Sequence, residues 1–114
     1  MRERERDNGR LQDIIQAIDN IMSFTDGLSL EELSTDKLRY YAVVKNVEII
    51  GEAANMLTSE FREMHSDIPW KDIVGMRNVL VHGYAAILPE ILWETALIDV
   101  PMLKERIEGL LAQQ

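Results

Sequence analysis

The stretch Leu38–Phe61, LRYYAVVKNVEIIGEAANMLTSEF, carries more apolar surface than one face of a helix can hold. Lys45, Glu48, Glu52, Asn55, Ser59 and Arg62 recur at spacings of three and four and give one narrow polar face. Tyr40, Val43, Val47, Ile50, Ala54, Leu57 and Phe61 form an apolar side, with Ala42, Ile49, Ala53 and Met56 beside it. The periodicity predicts one helix from near Ser34-Thr35-Asp36 to about Met64. A helix apolar over so wide an arc is buried on more than one side. In so short a chain a second copy is the expected extra cover. Gly51 among Val47, Ala53 and Ala54 would let another helix approach closely.

The flanking segments extend the helical pattern. Leu11, Ile14, Ile15, Ile18, Ile21 and Met22 predict a first helix from about Arg4 to Phe24, stopped at Asp26-Gly27. Ser29 and Glu32 have capping-box spacing in the turn that follows. Pro69 opens a third helix reaching to about His82, with Gly83 as its stop. After a loop, Pro89 starts a fourth. Its stripe of Leu92, Ala96, Val100, Leu103, Ile107, Leu110 and Leu111 keeps phase through Pro101, which predicts one kinked helix; a break before Pro101 is the alternative. No segment alternates with period two. The expected fold is all-α, a bundle of four main helices in a single domain over residues 1–114.

The composition fits that class. The chain has 114 residues, 46% hydrophobic and 28% charged, which suits one folded domain with one core. It has no cysteine, so disulfides, thiolate metal sites and thiol nucleophiles are excluded. No apolar run approaches a membrane span, and no signal-like segment follows the charged start Met1–Asp7, so a cytoplasmic location is expected. The formal net charge of −8 argues against a broad nucleic-acid coat and suits a basic protein partner, while leaving room for a local basic site.

The third helix holds the candidate chemistry. Trp70, Val74, Arg77, Val81 and Tyr84 fall along one line, apolar except for Arg77. An arginine in such a stripe needs a partner, a watery pocket or a cleft. Asn78 and His82 share an adjacent line. His82 follows Arg77 by five positions, so on an ideal helix the two side chains point well apart. They converge on one substrate only across a cleft, or where Gly83 redirects the chain.

Each type suits phosphodiester cleavage. A guanidinium holds a phosphate by two parallel hydrogen bonds and stabilises charge building on its oxygens. An imidazole moves a proton near neutral pH. A phenol donates a hydrogen bond or stacks on a base. The structural alternative is that Arg77 pairs with Glu48 or Glu52 and His82 caps the helix end. His65, the other histidine, reads as a solvated residue ending the second helix. No spacing of His and acidic residues suggests a built-in metal site, and no cofactor is expected.

Arg77-x4-His82-x-Tyr84 resembles the Arg-x4-His-x-Tyr signature of HepT-like proteins, the HEPN ribonuclease toxins of two-gene toxin–antitoxin systems. Ile50-Gly51-Glu52-Ala53-Ala54, Ile68-Pro69-Trp70, Val74-Gly75-Met76-Arg77-Asn78, Trp93-Glu94 and Val100-Pro101-Met102-Leu103 are similar to further segments of that family, in the same order.

The resemblance implies a four- to five-helix HEPN-type bundle that dimerises and brings two motif copies to one cleft. It implies metal-independent endoribonuclease activity and a nucleotidyltransferase-fold (MNT-type) antitoxin as partner. Arg77 and His82 would be catalytic, and Asn78 and Tyr84 auxiliary or RNA-binding. Tyr84 would also be the place where the antitoxin attaches AMP. The alternative is a non-catalytic helical dimer that binds such a partner and accepts AMP on its tyrosine. One departure stands out: family members often carry an acidic residue soon after the tyrosine, and Ala85–Pro89 has none.

Overall fold

The computed structural model describes residues 2–75 and 93–112. They are helical and turn residues, with no strand among them, so the fold is all-α as the periodicity requires. In chain order the elements are α1 (Arg2–Thr25), α2 (Leu30–Thr35), α3 (Lys37–Asn55), α4 (Ser59–Met64), α5 (helical over residues 70–75) and α6 (Val100–Ala112), the last preceded by a π-helical turn, Thr95–Asp99. None of the described helices is long and apolar enough to cross a membrane.

α1 is the central element, packed against both α3 and α6. Of the stripe read from the sequence, Leu11, Ile14, Ile18 and Ile21 are buried and Ile15 is half-buried against the core, while Met22 is 39% exposed; Ala17 completes the buried face. The helix stops where Gly27 takes a φ of +74°, a left-handed conformation that costs a residue with a Cβ roughly 1–2 kcal/mol. Ser29 then heads α2 with a reciprocal capping box: its hydroxyl accepts from the Glu32 amide at 3.1 Å, and the Glu32 carboxylate accepts from the Ser29 amide at 3.1 Å.

Side-chain bonds show that α1 and α3 run antiparallel. Asp7 meets Thr58, Asn20 meets Asn46, and Arg39 reaches the Phe24 carbonyl, so early residues of one segment pair with late residues of the other. Asn46 is a buried polar residue inside this seam. Its oxygen accepts from Asn20 Nδ2 at 3.1 Å and its own amide donates to the Ala42 carbonyl at 2.8 Å, so both ends are satisfied.

The predicted long second helix requires correction. It ends at Asn55, and a new helix starts at Ser59. Thr58 caps that new helix, its hydroxyl accepting from the Phe61 amide at 3.1 Å. The Thr58 amide and hydroxyl in turn donate to the two oxygens of Asp7, at 2.9 and 2.7 Å. Asp7 is 4% exposed. A carboxylate on α1 therefore organises the break, and the apolar phase hides it because Leu57 within it and Phe61 just beyond it are both buried.

Burial on α3 is mostly internal. Val43, Val47, Ile50, Gly51, Ala53 and Ala54 are buried within this one chain. The apolar surface left open lies towards the ends, at Leu38 (86% exposed), Tyr41 and Met56.

The reading of the last helix holds for the described part. Helical structure continues without a gap from residue 93 to 112. Pro101 has no amide hydrogen to offer the preceding turn. The π turn falls just before it, and the Val100 amide donates five residues back to the Thr95 carbonyl. Ala96, Val100, Leu103, Ile107 and Leu110 stay buried through the π turn and the helix that follows it. Lys104 Nζ donates to Asp19 Oδ1 at 2.7 Å and ties α6 to α1. That hydrogen bond, aided by the charges of Asp19 and Glu108 and opposed by desolvation, holds the ammonium's pKa above the usual lysine value.

Candidate functional site

The described part of the site is the scaffold that launches the third predicted helix. α4 ends at His65. The His65 carbonyl accepts from the Ile68 amide at 3.1 Å and from the Trp70 indole Nε1 at 3.0 Å. The Trp70 amide donates to the Ile68 carbonyl at 2.8 Å, and the Ile73 amide to the Pro69 carbonyl at 3.1 Å. Pro69 therefore caps α5 rather than forming its first residue, since its carbonyl receives the first helical bond while it lies outside the helix. Arg106 Nη1 on α6 donates to the Asp67 carbonyl at 3.2 Å and anchors the same turn.

Aromatic packing fixes the direction of α5. Trp70 is 6% exposed, and its ring lies 6.1 Å from that of Phe61. Phe61 in turn meets the His65 ring at 4.6 Å. Ile68 and Ile73 complete the buried side. His65 is thus half-buried against Phe61 and organises a turn through its carbonyl, which is more than the solvated helix end expected of it. Trp70→Phe keeps an aromatic ring there but leaves the His65 carbonyl without its indole donor. It is expected to cost about 1 kcal/mol for the hydrogen bond, read as a lower midpoint in urea unfolding; an unchanged midpoint would show that the bond carries no stability.

Arg77, Asn78, His82 and Tyr84 lie outside the described residues, as do the expected helix end at Gly83 and the segment Ala85–Pro89. The chain reaches Arg77 two residues after Gly75, the last described residue of α5. The acidic residues considered as structural partners for Arg77 are described. Glu48 pairs with Lys45 at 3.8 Å. Glu48 and Glu52 line a small hollow of about 130 Å³ on the α1–α3 face, together with Arg10 and Asp13, which pair at 3.6 Å. Among the described residues no group of His and acidic side chains is arranged to hold a metal ion.

A larger open groove of about 780 Å³ lies at the α4–α5 junction. Arg62, Glu63, Lys71, Pro69 and Val74 are among its lining residues. Sequence reasoning did not find it. Arg62 read as one member of a continuous polar stripe, and Lys71 belongs to another helix; the turn at residues 65–69 brings the two helices into one groove.

The sequence matches the family described as ribonuclease HepT-like over residues 14–110. A protein of Methanocaldococcus jannaschii named provisionally as an RNase is 38% identical over 98 residues, 86% of this chain and 90% of its own length. Another provisionally named RNase, from Caldanaerobacter subterraneus subsp. tengcongensis, is 38% identical over 91% of this chain and 93% of its own. A provisionally named ribonuclease HepT from Thermococcus cleftensis is 38% identical, covering 88% and 91%. No solved structure matches. With the matched span running from Ile14 in α1 to Leu110 in α6, the chain belongs to the ribonuclease HepT-like family.

Proposed function

We propose that this protein is an endoribonuclease that cleaves RNA without a metal ion, working as a homodimer with Arg77 and His82 as its catalytic residues. The observation that supports this most is the family match over residues 14–110, a span that contains the whole Arg77-x4-His82-x-Tyr84 run. The names of its relatives support the coarser part of this reading, RNA cleavage.

In this reading a ribose 2′-OH attacks the adjacent phosphorus. One His82 takes the proton from the 2′-OH as the new O–P bond forms. The bond from phosphorus to the 5′-oxygen of the next nucleotide breaks, and the His82 of the second copy gives that oxygen its proton. The products are a cyclic phosphate and a free 5′-hydroxyl. Arg77 holds the non-bridging oxygens through paired N–H bonds as their charge rises. The offset of five positions between Arg77 and His82 is the reason for requiring two copies: on one helix the side chains diverge, and a cleft shared by two protomers lets them converge. Asn78 and Tyr84 contact the RNA beside them. The partner is a nucleotidyltransferase-fold antitoxin, and AMP placed on Tyr84 would fill the cleft and silence it, completing a toxin–antitoxin pair.

Incubating the purified protein with RNA in excess chelator tests this directly. Cleavage is expected from a species that sediments as a dimer at micromolar concentration. Intact RNA, or cleavage by a stable monomer, would overturn the reading or its shared cleft, respectively.

A further inference from the structure

The groove between α4 and α5 gathers two cations, Arg62 and Lys71, on one concave surface. Elsewhere on the described surface Arg10, Arg39, Lys45 and Lys104 pair with a carboxylate, at 3.6, 3.4, 3.8 and 2.7 Å, while Arg6, Lys37 and Arg106 make no ion pair there and do not line the groove. Arg62 and Lys71, which line the groove, make no ion pair among the described residues. The charged lining is two cations against the single carboxylate of Glu63, a local excess of positive charge on a chain whose net charge is −8. Unpaired cations held beside a concave surface are the electrostatic footprint of an anionic ligand.

The other lining groups narrow the class of anion. Ser59 and Ser66 offer hydroxyls, and Pro69 and Val74 offer apolar surface. Cations beside apolar surface are the combination that suits a single strand of nucleic acid, where charged phosphates and flat base faces recur along the chain. The volume of about 780 Å³ lies within the range of ligand clefts, about 300–1,000 Å³. One wall of the groove is α5, whose chain continues directly to Arg77.

We infer that this groove holds the RNA strand flanking the cleaved bond, with Arg62 and Lys71 each neutralising one phosphate. The inference rests on the reading of the protein as a ribonuclease and adds a substrate track outside the motif. Arg62 and Lys71 set affinity here and take no part in the chemistry.

The test uses the full chain carrying His82→Ala, so that RNA is bound and not consumed. Binding of a short fluorescein-labelled single-stranded oligouridylate is followed by anisotropy over a range of salt concentrations. Adding Arg62→Gln and Lys71→Gln together is expected to weaken binding about tenfold at low salt. It should also flatten the slope of log K against log salt by about 1.4, since each phosphate contact to a single strand contributes about 0.7. Lys37→Gln, at an exposed cation outside the groove, is the control for net charge and is expected to leave the slope unchanged. Glu63→Gln is expected to tighten binding, a gain that misfolding cannot produce.

Equal slopes for the parent and the double variant would overturn the inference while leaving the ribonuclease reading in place. So would unchanged RNA binding accompanied by loss of a co-expressed protein partner, which would assign the groove to that protein. No RNA binding by the parent, with no cleavage by the wild type, would overturn both.

Discussion

Arg77→Ala is expected to lower RNA cleavage by about 10²–10³-fold, the scale for removing one preorganised donor from a charge that builds in the transition state. Arg77→Lys should recover only a small part of this. An ammonium supplies the charge but cannot present the planar, two-pronged donor that matches two phosphate oxygens. The loss should fall mainly on kcat, because the guanidinium matters most when the phosphate is crowded and most highly charged. A loss confined to KM would instead place Arg77 in ground-state binding. Full activity in both variants would support the structural alternative, a pairing with Glu48 or Glu52.

The largest stability effect is expected at Asp7. Its two carboxylate oxygens accept from the Thr58 amide and hydroxyl at 2.9 and 2.7 Å, and the side chain is buried. Hydrogen bonds to a charged acceptor contribute about 1.5–3 kcal/mol each, and they share one acceptor here, so Asp7→Ala is expected to cost about 3 kcal/mol. Asp7→Asn should cost roughly half of that, because one carbonyl oxygen remains to accept and the Thr58 hydroxyl can rotate. Urea unfolding of the three proteins reads this order. Wild-type stability in Asp7→Ala would mean that the turn at Met56-Leu57-Thr58 forms without α1.

That turn also marks the limit of what could be read from the sequence. The stop at Gly27, the capping box at Ser29 and Glu32, and the apolar phase carried through Pro101 are signals contained within a few residues, and each is realised in the fold. The break at residues 56–58 depends on a carboxylate 51 positions away, and the local pattern favours continuity. Leu57 and Phe61 preserve the apolar stripe while the backbone changes direction beneath it.

The site divides along the same line. Arg77, His82 and Tyr84 stand out because their types and spacing form a motif within eight residues. The groove of Arg62 and Lys71 does not, because it exists only once α4 has turned back at His65 and α5 has been locked by the Trp70 indole. The buried polar link that Asn46 closes between α1 and α3 likewise depends on a residue far away in the chain, Asn20.

The placement of Trp70 connects the two halves. Its indole bond to the His65 carbonyl and its packing on Phe61 set the direction in which α5 leaves the core, and every motif residue lies downstream of it. The Arg106 bond to the Asp67 carbonyl ties that departure point to α6. Catalytic precision in the proposed cleft would depend on this junction, since displacements of about 1 Å at a reacting centre cost on the order of 10²-fold in rate.

The central claim is that His82 moves a proton during RNA cleavage, and one comparison tests it most directly. Wild type and His82→Ala, purified alike and matched for helical content and sedimentation, are incubated with the same RNA in excess chelator. The wild type is expected to cleave, leaving cyclic phosphate ends, and His82→Ala to be slower by about 10²–10⁴-fold, the usual contribution of a positioned acid or base. Equal cleavage by the two proteins would contradict the account.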